Sequence, residues 1–338
     1  MKKRISVAII GCGVVGKRRK KFIEKNNNYS LIAISDIRFK KKKFFKNKIY
    51  HYKYYTDLLA ERNLDAVFVT LPNYLASKVT IQCIKKKINV FCEKPPAKNV
   101  EEIKRVKDIS KKFPSVKIKY GFNHRYHASV KMAKDIIKRK NYGDVLNFRC
   151  LYGKSKIVTY GASEWRSKKK YSGGGILIDQ GIHLLDLLRF FNGNFYEYKS
   201  FISNKFWNYD VEDNAFALMR DKKGVIASIH STATQWQHKF RIEIALRYAL
   251  LELKGILSGS KSYGRESLSL IPRFVKSKKN SKAEKKFIFK KDSSWKEEVD
   301  EFAKIILNKL SVKTGNINDA LEVMKMVDSI YKTDNKWR

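Results

Sequence analysis

The sequence predicts an α/β chain with two main domains: a doubly wound parallel sheet over 1–123, then a domain over 124–315 built on an antiparallel or mixed sheet. Two observations predict this. Up to Asn123, continuous β-branched apolar runs alternate with helical stretches, the pattern of parallel strands covered on both faces. Past Asn123, strand-like segments dominate, one pair of them joined by the turn Asp221-Lys222-Lys223-Gly224. At 338 residues, with 43% hydrophobic and 13% aromatic residues, the chain is able to fill two cores.

The first strand, ISVAIIG (5–11), runs through Gly11-Cys12-Gly13-Val14-Val15-Gly16 into a helix from Val14 to Lys25, and a second strand, YSLIAISD, ends at Asp36. In this strand, loop and helix context the glycines suit a dinucleotide. Gly11 allows the tight turn, Gly13 lets the backbone approach a pyrophosphate, and Gly16 lets the helix pack on the strand while the amides of Val14 and Val15 face the phosphates. Asp36, 20 residues beyond Gly16, is placed to accept from the adenosine ribose hydroxyls, which favours NAD. Arg38 and its neighbouring lysines are able to accommodate the 2′-phosphate of NADP.

Further strands read as DAVFVT (65–70), INVFCEKP (88–95) and VKIKYGFN (116–123), with helices from Asn73 to Lys87 and from Val100 to Lys112. In a doubly wound sheet ligands bind beyond the strand carboxyl ends. That rule gathers Gly11, Asp36, Thr70, Leu71, Pro72, Asn73, Glu93, Lys94 and Asn123 around one cofactor crevice. A helix follows from His127 to Lys140, and then the strands DVLNFRCLYG, FYEYKSFISNKF, FALMR, GVIASIHSTAT, FRIEIAL and ALLELKG. KSKKNSKAEKK (276–286) reads as a charged loop, and a helix begins at Ser293 or Ser294 and runs to Lys309. The last helix, from Asn318 to Lys332, carries apolar residues at Ala320, Leu321, Met324, Val327 and Ile330. It lies within a C-terminal segment (316–338) expected to pack back on the first domain.

The formal charge is +41, yet lysine greatly outnumbers arginine, is spread along the whole chain, and accompanies abundant Asn, Ile, Phe and Tyr. All five residue types have A/T-only codons, so compositional drift accounts for the charge better than nucleic-acid binding does, although a positive field would speed the arrival of an anionic cofactor or phosphorylated substrate. Cys12, Cys83, Cys92 and Cys150 form no CxxC pair and are expected as free core thiols in a reducing cytoplasm. No signal peptide is read at the basic N-terminus, and no apolar run reaches the ~20 residues of a membrane span.

The stretch GGGILIDQGIHLLDLLRFFNG (173–193) reads as a buried helix on the second sheet whose Asp179, His183 and Asp186 share one narrow arc. A metal is not expected there, because DxxxHxxD has no partner cluster elsewhere in the chain. A satisfied core histidine is the plain alternative for His183.

The glycine loop, Glu93-Lys94-Pro95, and Gly173-Gly174-Gly175 followed by Asp179-x-Gly181-x-His183-x-x-Asp186 together resemble the Gfo/Idh/MocA oxidoreductases over nearly the whole chain. The resemblance implies a Rossmann domain, a C-terminal α/β domain with a large, open, predominantly antiparallel sheet that serves for homo-dimer or homo-tetramer formation, and NAD(P)-linked redox chemistry on sugars or cyclitols. Asn123-His124-Arg125 and Glu164-Trp165-Arg166 point within the family toward sugar-nucleotide or amino-sugar dehydrogenases. The chain departs from the family at Ala76, where a histidine is common, and at Arg247-Tyr248, where glycines are usual.

The expected mechanism sets His183 as proton acceptor, Lys94 as charged donor to the developing alkoxide, and Asp179 as the residue that orients or tunes His183. Asp186 is expected to be structural. Arg125, Trp165 and Arg166 join Lys94, Asp179 and His183 as substrate-binding candidates. Two rivals share parts of this reading: an NAD-dependent glycosidase of the same fold, and a basic nucleic-acid-binding or regulatory protein that retains a dinucleotide fold.

Overall fold

The computed structural model describes residues 4–155, 165–258, 262–273 and 283–337. The chain forms two compact units, Met1–Phe122 with Trp295–Leu321, and Asn123–Ser294 with Glu322–Arg338.

The first unit begins β1 (Ile5–Ile10), α1 (Val14–Glu24), β2 (Tyr29–Ser35), β3 (Lys43–Lys46), β4 (Ile49–Tyr52), α2 (Tyr55–Glu61), β5 (Ala66–Val69), α3 (Asn73–Lys85), β6 (Asn89–Glu93), α4 (Val100–Lys111) and β7 (Ile118–Gly121). Its sheet has the order β3-β4-β2-β1-β5-β6-β7 and is parallel except for the antiparallel β3–β4 pair. All four residues of β5 are fully buried, as its unbroken apolar run requires of a central strand.

The second unit holds a 3-10 turn at Asn123–Tyr126, α5 (Ala128–Arg139), β8 (Val145–Gly153), α6 (Lys169–Ser172), a π turn at Leu177–Gly181, α7 (Ile182–Asn192), β9 (Glu197–Ser203), β10 (Asn214–Arg220), β11 (Ile226–Thr232), β12 (Lys239–Leu246), β13 (Ala249–Lys254), β14 (Glu266–Pro272) and β15 (Lys285–Phe289). The sheet order is β15-β14-β13-β12-β8-β11-β10-β9, and β8–β11 is its single parallel pairing among the described residues. Helix α7 packs on β8, with Phe191 lying near-parallel to Phe148. Strand alternation turns Ala215, Ala217 and Met219 of β10 inward and leaves Phe216 and Leu218 exposed, beside Phe201 of β9 at 80% exposure.

Two expectations about the C-terminal third are corrected. Helix α8 (Ser294–Leu307), expected in the second domain, belongs almost wholly to the first unit: Val299, Phe302 and Ala303 join Ile5, Val7, Phe68 and Phe91 in one core, and Phe302 sits edge-on to both Phe68 and Phe91. The last helix, α9 (Ile317–Thr333), expected on the first domain, belongs from Glu322 onward to the second unit. There the Ser200 hydroxyl donates to the Ile330 carbonyl at 2.6 Å and the Ile202 amide donates to Asp334 at 2.6 Å.

The expected loop 276–286 is also only partly a loop. Its residues 276–282 lie outside the described residues, while Lys285 and Lys286 open β15. The greasy stretch is not one continuous α-helix either: its π turn at Leu177–Gly181 changes the winding between Asp179 and His183.

The glycines before that turn have packing reasons. A Cβ on Gly174 would fall 2.0 Å from the Tyr331 hydroxyl, and one on Gly175 would fall 2.1 Å from the Glu212 carbonyl oxygen. The Glu212 side chain, fully buried, accepts from the amides of Gly175 (2.7 Å) and Leu177 (2.9 Å) and from the Tyr331 hydroxyl (2.7 Å). Burial pushes its carboxyl above the usual range against the pull of those bonds.

Candidate active site

In the first unit, Gly11 adopts φ +92°, and a Cβ there would lie 2.6 Å from the Thr70 carbonyl oxygen. A Cβ on Gly16 would strike the Gly11 carbonyl oxygen at 2.1 Å, so the third glycine is demanded by packing of α1 on β1. Gly13 differs: a Cβ there would approach only Arg38, at 4.0 Å, so the fold itself leaves that space open. It lies at the start of α1, where Gly13 supplies no side-chain cap and the first turn carries no acid. An open volume over uncapped amides fits a pyrophosphate.

Asp36 directly follows the last residue of β2. It is 7% exposed, accepts from the Cys12 amide at 2.7 Å, and is gripped by Arg38 through Nε (2.7 Å) and Nη2 (2.7 Å). Burial works to raise its pKa, but the bonds from Arg38 and the Cys12 amide outweigh it and hold the carboxyl below the usual range. Arg38 itself is 65% exposed, so a buried carboxylate and an open guanidinium stand side by side. Cys12 is only partly buried, unlike Cys83, Cys92 and Cys150, which makes three core thiols instead of the four expected.

The other residues expected at the cofactor lie around the glycine loop and the start of α3. The Thr70 hydroxyl donates to the Gly11 carbonyl and so ties the glycine loop to β5. Leu71 and Pro72 are partly buried and lead into α3, whose first residue, Asn73, is 4% exposed. Val14 is exposed and Val15 partly so, at the open end of α1.

Glu93 turns inward. Arg19, fully buried on α1 between the rings of Phe91 and Trp295, donates through Nε to Glu93 at 2.6 Å and through Nη2 to Glu298 at 2.6 Å. Gly121 makes room for the Glu93 carboxylate, which a Cβ would meet at 2.8 Å. Lys94, next in sequence, is partly buried, and its peptide to Pro95 is cis. Burial drives Glu298 up to about 7 despite Arg19 beside it.

In the second unit the three polar residues of the greasy stretch take three different partners. Asp186, fully buried, receives a forked pair from Arg125 at 2.8 and 2.6 Å, so Arg125, expected to bind substrate, is committed to a buried ion pair. His183, 3% exposed, lies flat against His124. Asp179 lies 3.5 Å from Lys154 Nζ and 3.5 Å from Arg166 Nε, and Arg166 stacks on Trp165 at 4.1 Å. Lys154, just past β8, escapes the sequence reading because it looks there like one more solvated lysine. Asn123, expected at the cofactor, faces Ser294 Oγ (3.3 Å) and His124 Nδ1 (3.2 Å) within the second unit. Glu164 lies outside the described residues.

Among the described residues no group of three or more His, Cys, Asp or Glu is placed to hold a metal, and no helix is long and apolar enough to cross a membrane.

Comparison with known proteins matches residues 5–119 to the oxidoreductase family, NAD-binding Rossmann fold, and residues 130–250 to the GFO/IDH/MocA C-terminal domain. Myo-inositol 2-dehydrogenase of Thermotoga maritima is 27% identical over 70% of this chain and 72% of its own. Glucose-6-phosphate 3-dehydrogenase of Bacillus subtilis is 29% identical over 54% of this chain and only 52% of its own. Among solved structures, the WlbA dehydrogenase of Bordetella pertussis, complexed with NADH and UDP-GlcNAcA, has the same fold at TM-score 0.79, with 18% identity over 98% of this chain and 96% of its own. KijD10, a 3-ketoreductase of Actinomadura kijaniata complexed with NADP and TDP-benzene, also shares the fold at TM-score 0.82, with 17% identity over 98% of each chain.

Proposed function

Because this chain belongs to the Gfo/Idh/MocA oxidoreductases, we propose that it is an NAD-dependent dehydrogenase that moves a hydride between nicotinamide and a secondary alcohol of a sugar, amino sugar or sugar nucleotide. The observation that carries the reading is His183, a buried imidazole on a helix whose other acids are already matched to cations. The bound dinucleotide supplies the hydride acceptor. Gly13 and the first amides of α1 hold its pyrophosphate, and Asp36 holds its ribose, with Arg38 able to receive the extra phosphate of NADP. In the oxidation, the carbinol carbon gives up its hydride while His183 takes the hydroxyl proton, and the Lys94 ammonium stabilises the alkoxide as it forms. Asp179 sets the field of the substrate pocket through Lys154 and Arg166.

The exposed apolar face of the second sheet, with Phe201, Phe216, Leu218 and Ile226, supports assembly as a homo-dimer or homo-tetramer.

The test is absorbance at 340 nm with NAD or NADP and a panel of cyclitols, sugars and sugar nucleotides. Net NADH formation is expected; release of an aglycone without net NADH would replace this reading with the glycosidase one.

A further inference from the structure

Resting on the dehydrogenase reading, we propose that Glu298 is a positioning residue for Lys94, acting through the Arg19 guanidinium and the Glu93 carboxylate on the end of β6 from which Lys94 departs. All four residues belong to the first unit. Glu93 is the last residue of β6, in register with Gly121 of β7, and a Cβ on Gly121 would meet its carboxylate at 2.8 Å. Its side chain therefore has a space made for it beside β7. Arg19 donates through Nε to Glu93 Oε1 at 2.6 Å, and its other edge donates through Nη2 to Glu298 Oε2, also at 2.6 Å. The rings of Phe91 and Trp295 lie 4.4 and 4.3 Å from the guanidinium carbon. A planar group held at two edges and against two rings has one place to be, and it passes that constraint to Glu93. Lys94 is the next residue along the chain.

This arrangement is a poor way to stabilise a core and a good way to fix one geometry. Val299, Phe302 and Ala303 of α8 already pack with Phe68 and Phe91, and apolar residues of similar volume would serve beside them as well as buried ions do. Instead, one cation is buried between two carboxylates. Glu298 is fully buried, and its Oε1 accepts from no group among the described residues, so its hold on Arg19 through Oε2 is its one side-chain hydrogen bond there. The charged groups around it are Arg19 on α1, Glu93 on β6 and Lys119 on β7, and Lys119 is itself held by Glu301 at 3.2 Å and by the Thr314 carbonyl at 2.8 Å. When Glu298 is a neutral acid, the Arg19 charge is left to Glu93. When it ionises, two carboxylates share one guanidinium and the hold on Glu93 weakens. Burial raises the Glu298 carboxyl to about 7, so both states are populated near neutrality.

The test trace-labels the amines of the full chain with acetic anhydride between pH 5.5 and 9, with and without NAD. Mass spectrometry reads Lys94 against the exposed Lys48, so that the ratio cancels the ordinary titration of an amine. In the wild type the ratio is expected to step by about threefold or more near pH 7, as for a charge change felt through a few residues, and the step should vanish in Glu298→Gln. Steady-state kinetics with a sugar that gives NADH then show its use: Glu298→Ala should lower kcat by about ten- to a hundredfold with KM and NAD affinity little changed, and Glu298→Gln should restore it. No step in the wild type, or a step that persists in Glu298→Gln, overturns the assignment, and this comparison decides it even if Glu298→Ala does not fold. An unchanged kcat in folded Glu298→Ala overturns it too. The step present in a chain that forms no NADH with any sugar of the panel upholds the link to Lys94 and counts instead against the dehydrogenase reading.

Discussion

His124 and His183 lie face to face, their ring centroids 3.6 Å apart and their planes 14° from parallel. Two imidazolium ions in that contact would repel strongly, so the two rings do not carry charge together. The surroundings decide where it goes. Asn123 Oδ1 sits 3.2 Å from His124 Nδ1, which calls for an N–H there, and the Tyr152 hydroxyl sits 3.1 Å from His124 Nε2, where it donates to a bare nitrogen. Nearby His127 is occupied by Glu266 at 2.7 Å. With Nδ1 donating and Nε2 accepting, His124 is the neutral tautomer, and His183 is the ring expected to take a proton. Imidazole 15N spectra across pH 5–8 are expected to show one member of the pair titrating, the resonance that vanishes in His183→Ala. Two independent titrations near ~6.5 would refute the coupling.

For catalysis, His183→Ala and Lys94→Met are each expected to lower kcat/KM by roughly 10² to 10⁴ while NAD binding is retained. On the proposed mechanism the two serve one step, so the double variant should be far less impaired than the product of the two losses. Simple multiplication of the two effects in steady-state kinetics would mean that they do not share a step.

Cofactor choice is expected to follow Asp36. Asp36→Ala removes the ribose acceptor and releases the Arg38 guanidinium it now grips, so NAD should bind more weakly and the preference should move toward NADP. Fluorescence titration with both reduced cofactors measures this; an unchanged NAD affinity would sink the assignment.

Stability should carry the mark of Glu298. Its folded pKa is raised to about 7 from 4.5, so the folded state binds a proton more tightly than the unfolded chain. The stabilisation is complete below the unfolded value and is lost as pH rises through about 7. Glu298→Gln keeps an acceptor for Arg19 and removes the titration, so its denaturant midpoint should vary less between pH 4.5 and 8 than that of the wild type. Parallel profiles for the two proteins would show that Glu298 does not titrate in this range.

The first sheet is legible in the sequence because strands buried on both faces write themselves as apolar runs, as β1 and β5 do. The β3–β4 hairpin is not, since KFFK is exposed on all but one residue and has no hydrophobic period to read. Strand β15 escapes for the same reason, with four of its five residues exposed. At the site, Asp36 is legible from its spacing to the glycine loop, whereas the Arg125–Asp186 pair joins residues 61 apart and leaves no local pattern. The π turn stays hidden because helical periodicity does not announce a single change of winding.

Both units are discontinuous in the chain, and each waits on its last piece. The first sheet lacks Val299, Phe302 and Ala303 until α8 has been made, and the helix start at Gly174 and Glu212 lacks Tyr331 until α9 has followed. Domains ordinarily fold as units during synthesis, the N-terminal one first. Here that order is blocked: the ribosome must make all of the second sheet before the first core receives its closing helix. A nascent chain stalled before α8 therefore carries two incomplete cores at once, and exposes to chaperones the apolar surfaces that α8 and α9 later cover.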